Sequence, residues 1–324
     1  MPVIPKPRNT VARQIYRFYE RVQEDWRRDH LGASQIGDQN CLRQLWYSFR
    51  WAIAPKFEGR ILRLFETGKR EEERVIENLR RAGMTVADLD PRTKEQWRIA
   101  FLGGHIGGGT DGMILGVPQA PKTWHILEIK TANEKRFKRV QKEGLAKGEP
   151  GHHAQIQIYM RGFNLARGLY ICVWKDTDRI YEERIYIDQD YADAMIGKAM
   201  QVVHTRIPPA RISDDPSWFE CKFCTFRDVC HMGIETDLER NCRTCTSSEA
   251  LPNGSWECIH HNDRIGKKKL RDGCEDHLFI PQVVPAEPID GEDTKDRRYV
   301  RYRHPSGREF VDEGRKFIDI EEPA

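Results

Sequence analysis

One run of residues restricts this chain more than any other: Trp124-His125-Ile126-Leu127-Glu128-Ile129-Lys130-Thr131, an apolar segment broken by two charges. Pro121 bounds it on one side and a charged, helix-forming run on the other, so it reads as a buried strand. Side chains alternate across a strand, so residues two apart share a face, and Glu128 and Lys130 point into one place. Burying such charges is costly unless they are paired or meet a metal ion. Upstream, Gly107-Gly108-Gly109-Thr110-Asp111-Gly112 is a glycine-rich turn into a short apolar strand over 112–115, which brings Asp111 beside Glu128.

Two carboxylates and one ammonium suit a hard divalent cation. Mg²⁺ or Mn²⁺ held by one or two carboxylates, with water completing its shell, polarises a phosphate and lowers the pKa of an attacking water. Lys130 then orients that water or neutralises developing charge. An E-x-K tripeptide alone is common, and its ordinary reading is a structural ion pair on an edge strand. Farther along, Gln155 and Tyr159 are four apart and share one helical face.

Asp111, Glu128 seventeen positions later, Lys130 and Gln155-x-x-x-Tyr159 together resemble the PD-(D/E)XK nuclease superfamily, in particular its RecB-like and viral exonuclease branches. The resemblance implies an α/β fold, a mixed sheet flanked by helices. In it Asp111 and Glu128 bind Mg²⁺ or Mn²⁺, Lys130 assists the water, and Gln155 and Tyr159 contact the substrate or brace the site. Thr110 stands where the family name has proline, a residue with no chemical task in this scheme. Gly68-x-x-x-Glu72 matches a further spacing of these nucleases, in which the acid supplies an extra ligand or holds water. Glu71 and Glu73 flank it, and three successive glutamates are more often surface charge; spacing selects Glu72. The implied partner is DNA, and the implied activity is hydrolysis from DNA ends in recombination or DNA processing, alongside a recombination or replication protein and in a virus or prophage. An endonuclease or junction resolvase needs the same site. A non-catalytic DNA-binding or redox-responsive scaffold on a nuclease fold is the alternative of a different class.

The 324 residues suffice for roughly two domains, or one core with appended modules. The expected segments are N-terminal helices over 1–57, a nuclease core over 58–210, a cysteine segment over 211–236, a zinc module over 237–284, and a linker with a hairpin over 285–324. A net charge of +3 cannot by itself argue for a nucleic-acid partner, so local patches must. No run approaches a membrane span and the first thirty residues lack an apolar signal core, so the expected location is cytoplasmic. Neither a repeat nor a nucleotide-binding P-loop is present.

Val11, Ile15, Phe18, Val22 and Trp26 recur at helical spacing and predict an amphipathic helix. A second helix or helix-turn is expected over 33–52, with Ser34 as N-cap. Its Trp46, Tyr47 and Trp51, interleaved with Arg43 and Arg50, read as core in preference to a nucleic-acid surface. A helix over 59–82 ends at Gly83. The basic run Lys135, Arg136, Lys138, Arg139 and Lys142 suits phosphate contacts as well as it suits a solvated face. The Gln155 helix is expected to end near Gly168, followed by a hairpin over 169–187, a helix over 191–204, and a small hairpin over 299–311.

Nine cysteines complete the inventory. Cys172 lies in an apolar strand and reads as ordinary core. With no secretion signal a disulfide framework is disfavoured and metal binding favoured for the rest. Cys221-x-x-Cys224-x5-Cys230 offers three thiolates, which suit iron–sulfur or zinc equally on spacing alone. With a distant Cys41 as fourth ligand they resemble the iron-staple nucleases, the AddB-type helicase-nucleases and the CRISPR-associated RecB-like exonucleases. That likeness implies a structural [4Fe–4S] cluster closing the ends of the core. Cys242-x-x-Cys245, Cys258 and Cys274-x-x-His277 follow in a segment with little apolar material, so a structural Zn²⁺ is expected on four of these five. His260 and His261 read as bystanders there.

Overall fold

A computed structural model describes residues 9–233, 238–294 and 297–320. Positions 1–8, 234–237, 295–296 and 321–324, which fall within the expected 1–57, 211–236, 237–284 and 285–324 segments, lie outside the described residues. The chain is mixed α/β. It begins with α1 (Val11–Val22), β1 (Leu31–Gly32), α2 (Ala33–Asp38), α3 (Leu42–Phe49) and α4 (Gly59–Arg81). Strands β2 (Thr85–Ala87), β3 (Arg98–Phe101), β4 (Ile106–Gly109), β5 (Gly112–Leu115) and β6 (His125–Ala132) follow. Then come α5 (Glu134–Glu143), α6 (Leu145–Gly148), α7 (Pro150–Phe163), β7 (Arg167–Trp174), β8 (Arg179–Tyr186) and α8 (Gln189–His204).

The main sheet has the order β2-β5-β6-β7-β8. β6 is therefore internal, not the edge strand of the ordinary E-x-K reading. It runs antiparallel to β5 and parallel to β7. A parallel pair requires a crossover, and α5 to α7 supply it. Alternation along β6 sorts its side chains. Leu127 and Ile129 pack with Val75 and Ile76 of α4, whereas Ile126 and Ala132, on the face of Glu128 and Lys130, join the larger core with α7. β1, β4 and β3 form a smaller sheet whose middle strand leads directly into Asp111.

The expected helix over 33–52 is two helices. Gly32, not Ser34, caps α2, and Cys41 occupies the N-cap position of α3 after a break in extended backbone. α7 stops at Phe163 instead of running to Gly168, because Asn164 adopts the left-handed conformation (φ 54°) that terminates helices. α1 forms over the first part of the expected 10–30 span and stops at Val22, where Gln23 turns to extended backbone, so Trp26 lies beyond it; it packs on α4 through its polar side. Tyr19 bonds Glu66, and the Gly59 amide donates to Glu20 Oε1 at 2.9 Å. Val11, Ile15, Phe18 and Val22 are left exposed.

The cysteine-rich segment is built into the same core. It carries α9 (Phe219–Lys222), α10 (Arg227–His231), β9 (Ser248–Ala250), β10 (Trp256–Cys258), β11 (Asp263–Ile265) and α11 (Lys267–Asp272). The expected hairpin forms as β13 (Arg298–Arg303) and β14 (Glu309–Glu313), and β12 (Glu287–Asp293), where a linker was expected, and β15 (Lys316–Asp319) extend it into a four-stranded antiparallel meander. One continuous cluster of buried side chains runs from Leu31 through Trp46, Trp256 and Phe279 to Phe310. Arg243 joins its halves. Its guanidinium lies 3.7 Å from the Trp51 ring centroid and donates to the Phe49 and Asp29 carbonyls at 2.9 Å. Arg50 is stacked beside it at 5.3 Å from Trp256 and donates to the Arg243 carbonyl. These arginines are 1% and 2% exposed, so neither is available to a nucleic acid. Burial lowers Arg243 to about 9, and three aromatic faces take the place of a carboxylate.

Replacing Arg243 by methionine removes the cation–π contacts and strands the buried Phe49 carbonyl and the part-buried Asp29 carbonyl. The expected loss is on the order of 3 kcal/mol in chemical denaturation; a midpoint within error of wild type contradicts the joining role.

Candidate active site and cysteine centres

β5 begins at Gly112, paired with Leu127, so beyond that point the β5-side edge of β6 has no strand partner. Asp111 fills the gap: its Oδ2 accepts the Ile129 amide proton at 2.7 Å. Thr110 fixes the turn. Fully buried, its hydroxyl donates to the Leu127 carbonyl at 3.0 Å, so the residue in the proline position ties β5 to β6. Glu128 has no exposed surface, and Oε1 accepts from Lys130 Nζ, while Oε2 is buried without a hydrogen-bond partner. Glu72 projects from α4, half-buried at the rim, close enough to Asp111 and Lys130 to feel both charges.

The structure thus brings together Glu72, Asp111, Glu128 and Lys130. Gln155 and Tyr159 line the next layer of α7. Gln155 Nε2 donates to Tyr159 Oη at 3.2 Å, and that oxygen lies over Gly108, where a Cβ would meet it at 2.9 Å. Sequence reasoning missed two further members. His152, three residues before Gln155 on the same helical face, meets Tyr170 Oη through Nδ1 at 3.0 Å. Tyr170 stands opposite Glu128 across the β6–β7 ladder, a neighbour that only the pairing register reveals.

Three carboxylates around one ammonium leave an excess of negative charge. Burial, then Asp111, lifts Glu72 to about 7. Burial also lifts Asp111 and Glu128, against the pull of Lys130. Burial opposes the Lys130 charge, but Glu128 and Asp111 outweigh it and hold the ammonium protonated. His152 is held neutral, near 3, by burial and by Lys130 and Arg136. An ion-free site therefore stores protons, and the orphaned Glu128 Oε2 is the kind of acceptor that a hard cation satisfies.

The expected basic helix behaves differently. Arg136 and Arg139 of α5 both grip Glu149, and Lys138 pairs with Glu134 and covers Trp174. Lys135 and Lys142 are exposed. A cationic surface lies elsewhere: a cleft of about 320 Å³ walled by Arg28, His30, Gln96, Arg98, Gln155 and Tyr159. Trp51 Nε1 holds the Arg28 carbonyl at 2.8 Å, so this wall hangs on the aromatic core.

Cys41, Cys221, Cys224 and Cys230 line one cavity between α3 and the α9–α10 segment. Burial and the other three thiols push Cys224 up to about 11. In the later set, burial and then Cys245, Cys274 and Cys258 push Cys242 up to about 12. His277 is turned away from that group. Its Nδ1 faces Arg240 Nη1 at 3.2 Å and its Nε2 faces the Thr244 hydroxyl at 3.1 Å. Arginine can only donate, so Nδ1 accepts and Nε2 carries the proton, leaving no free lone pair for an ion. Of the five expected ligands, His277 is thus engaged by Arg240 and Thr244. Among the described residues no helix is long and apolar enough to cross a membrane.

No protein-family model matches the chain, and neither does any curated protein. Among solved structures it is similar to SSO0001, at 16% identity and a TM-score of 0.38, covering 68% of this chain and 96% of that one. It is also similar to LHK-Exo in complex with dAMP, at 12% identity and 0.39, covering 59% and 90%. A second structure of LHK-Exo, an alkaline exonuclease from Laribacter hongkongensis, gives 13%, 0.35, 59% and 90%. At such scores the likeness is a distant one of backbone, and functional inference rests on the residues above.

Only above about pH 7.5 are the buried histidines neutral in folded and unfolded chains alike, so the raised carboxylates dominate the interval beyond it. There the folded state keeps protons that the unfolded state has released. Stability of the Mg²⁺-free protein is therefore expected to fall from about pH 7.5 to about pH 8.5. Glu72→Gln flattens the fall, and Mg²⁺ raises Tm more at the alkaline end. Thermal scans in which Glu72→Gln leaves the slope untouched take the cluster out of the account.

Proposed function

We propose that this chain is a divalent-metal-dependent deoxyribonuclease with a PD-(D/E)XK core, acting on DNA ends. The observation that carries the reading is the convergence of Asp111, Glu128 and Lys130 at the open edge of β6, with a Glu128 oxygen buried and unpartnered. Asp111 and Glu128 would hold Mg²⁺ or Mn²⁺, with Glu72 adding an oxygen. Bound there, the ion would supply Lewis-acid polarisation of the phosphate and a more acidic water.

The chain's own groups divide the remaining work. Lys130 keeps its proton, so it serves as donor to a phosphate oxygen or orients the attacking water by its charge; it is not a base. Glu72, half-buried at the rim, assists through the ion or by holding the attacking water. Tyr159 and Gln155 form a donor pair at the head of the cationic cleft and position the strand, whose phosphates Arg28 and Arg98 neutralise. Lys135 and Lys142, exposed on α5, would add phosphate contacts of their own.

The cysteine sets serve the fold. Cys41, Cys221, Cys224 and Cys230 would hold a [4Fe–4S] cluster that closes the chain between α3 and α10, and Cys242, Cys245, Cys258 and Cys274 would hold Zn²⁺. Donor chemistry fits both: each is an all-thiol set drawn from two or more separate segments, and each has buried members.

Purified protein should degrade labelled linear DNA with Mg²⁺ or Mn²⁺ and spare covalently closed circles. Glu128→Ala or Lys130→Ala should cost at least about a hundredfold in rate. Equal cleavage by all three proteins assigns the activity to a contaminant, and cleavage of circles makes the enzyme an endonuclease. Fresh protein should be brown and bleach on Cys221→Ala; colourless wild type carrying zinc at that set replaces the iron–sulfur assignment.

A further inference from the structure

Beside the later cysteine set, two histidines left aside by spacing turn out to share a pocket of donors. His260 and His261 lie in the turn after β10, and Asp276 lies in the turn after Cys274. Their ligand atoms all lie within 4.8 Å of one another. His261 Nε2 is 3.3 Å from Asp276 Oδ2, and the two imidazoles meet edge to face with centroids 4.8 Å apart. Among the described residues this is the one group of three such donors so closely gathered. The partners come from segments fifteen residues apart, and both turns are pinned by the fold. β10 is paired on both sides, and Cys274 is followed by the bridge from Phe279 to Cys245.

We propose that His260, His261 and Asp276 form a second metal site, distinct from the thiol-bound one and open to solvent, that takes an exchangeable borderline divalent ion such as Zn²⁺, Co²⁺ or Ni²⁺. Two imidazoles and a carboxylate are the donors such ions choose over Mg²⁺, which prefers oxygen alone. Three protein ligands leave room for water or for an anionic oxygen from a bound molecule. The two side chains nearest the site have different roles. Cys274 Sγ lies 3.8 Å from His261 Nε2 and belongs to the thiol set, whereas the Arg298 guanidinium is occupied by Asp293, Ser247 and the Asp276 carbonyl. An ion here therefore sits next to the thiol-bound zinc without competing for its sulfurs. The site does not depend on the nuclease reading.

Cobalt separates the two sites, because thiolate ligation gives an intense near-ultraviolet charge-transfer band that nitrogen and oxygen ligands lack. Full-length protein with its cysteine sets already loaded is titrated with Co²⁺ and monitored by absorbance, with bound metal counted by elemental analysis. Wild type is expected to take up one further Co²⁺ per chain with only a weak visible band. His260→Ala and Asp276→Asn should each weaken that uptake by at least about tenfold while zinc content and Tm stay unchanged. Uptake indifferent to both substitutions, or no uptake in wild type, overturns the proposal. So does loss of the resident zinc in His261→Ala, which would make that imidazole a ligand of the thiol site.

Discussion

A carboxylate without solvent, placed in the middle of a sheet beside a lysine, is the interaction on which the remaining architecture turns. Glu128 would destabilise any strand that merely buried it. It persists because Lys130 answers one oxygen, while burial and the neighbouring Asp111 and Glu72 favour its protonated form. The short β5, the glycines of β4 and the close approach of Tyr159 over Gly108 all follow from keeping the β5-side edge of β6 open. Fold and chemistry are in this sense one solution: the same open edge that shortens β5 gathers the acids around the lysine.

Much of this was legible in residue order. Period-two alternation located β6 and put Glu128 and Lys130 on a common face, and the four-residue step from Gln155 to Tyr159 placed both on one side of α7. Partners fixed by strand register were not legible. Tyr170 meets Glu128 only through the parallel ladder, and Thr110 acts through a carbonyl seventeen residues away. Charge along α5 misled for a related reason. A row of basic residues looks like a phosphate surface until Glu149, from the start of the next long helix, takes two of them. The cationic wall comes instead from Arg28 and Arg98, seventy residues apart and in no common pattern.

Hydrophobic spacing told the truth about α1 and nothing about its orientation. Periodicity measures whether one side is apolar, and the partner decides which side is hidden. Here α4 offers Glu66, the Gly59 amide and Arg63, so the tyrosines and Glu20 of α1 turn inward. The five candidate ligands after Cys242 posed the opposite problem, since spacing allowed several sets and gave no sign of the hydrogen bonds that occupy His277.

Arg243 sits between Cys242 and Cys245, and its planar head group reaches the segment that carries Arg28. The loop that carries Cys242 and Cys245 is thus also a hand on the cleft wall. A shift in that loop would be felt at a distance, as slack in a surface that its sulfurs never touch.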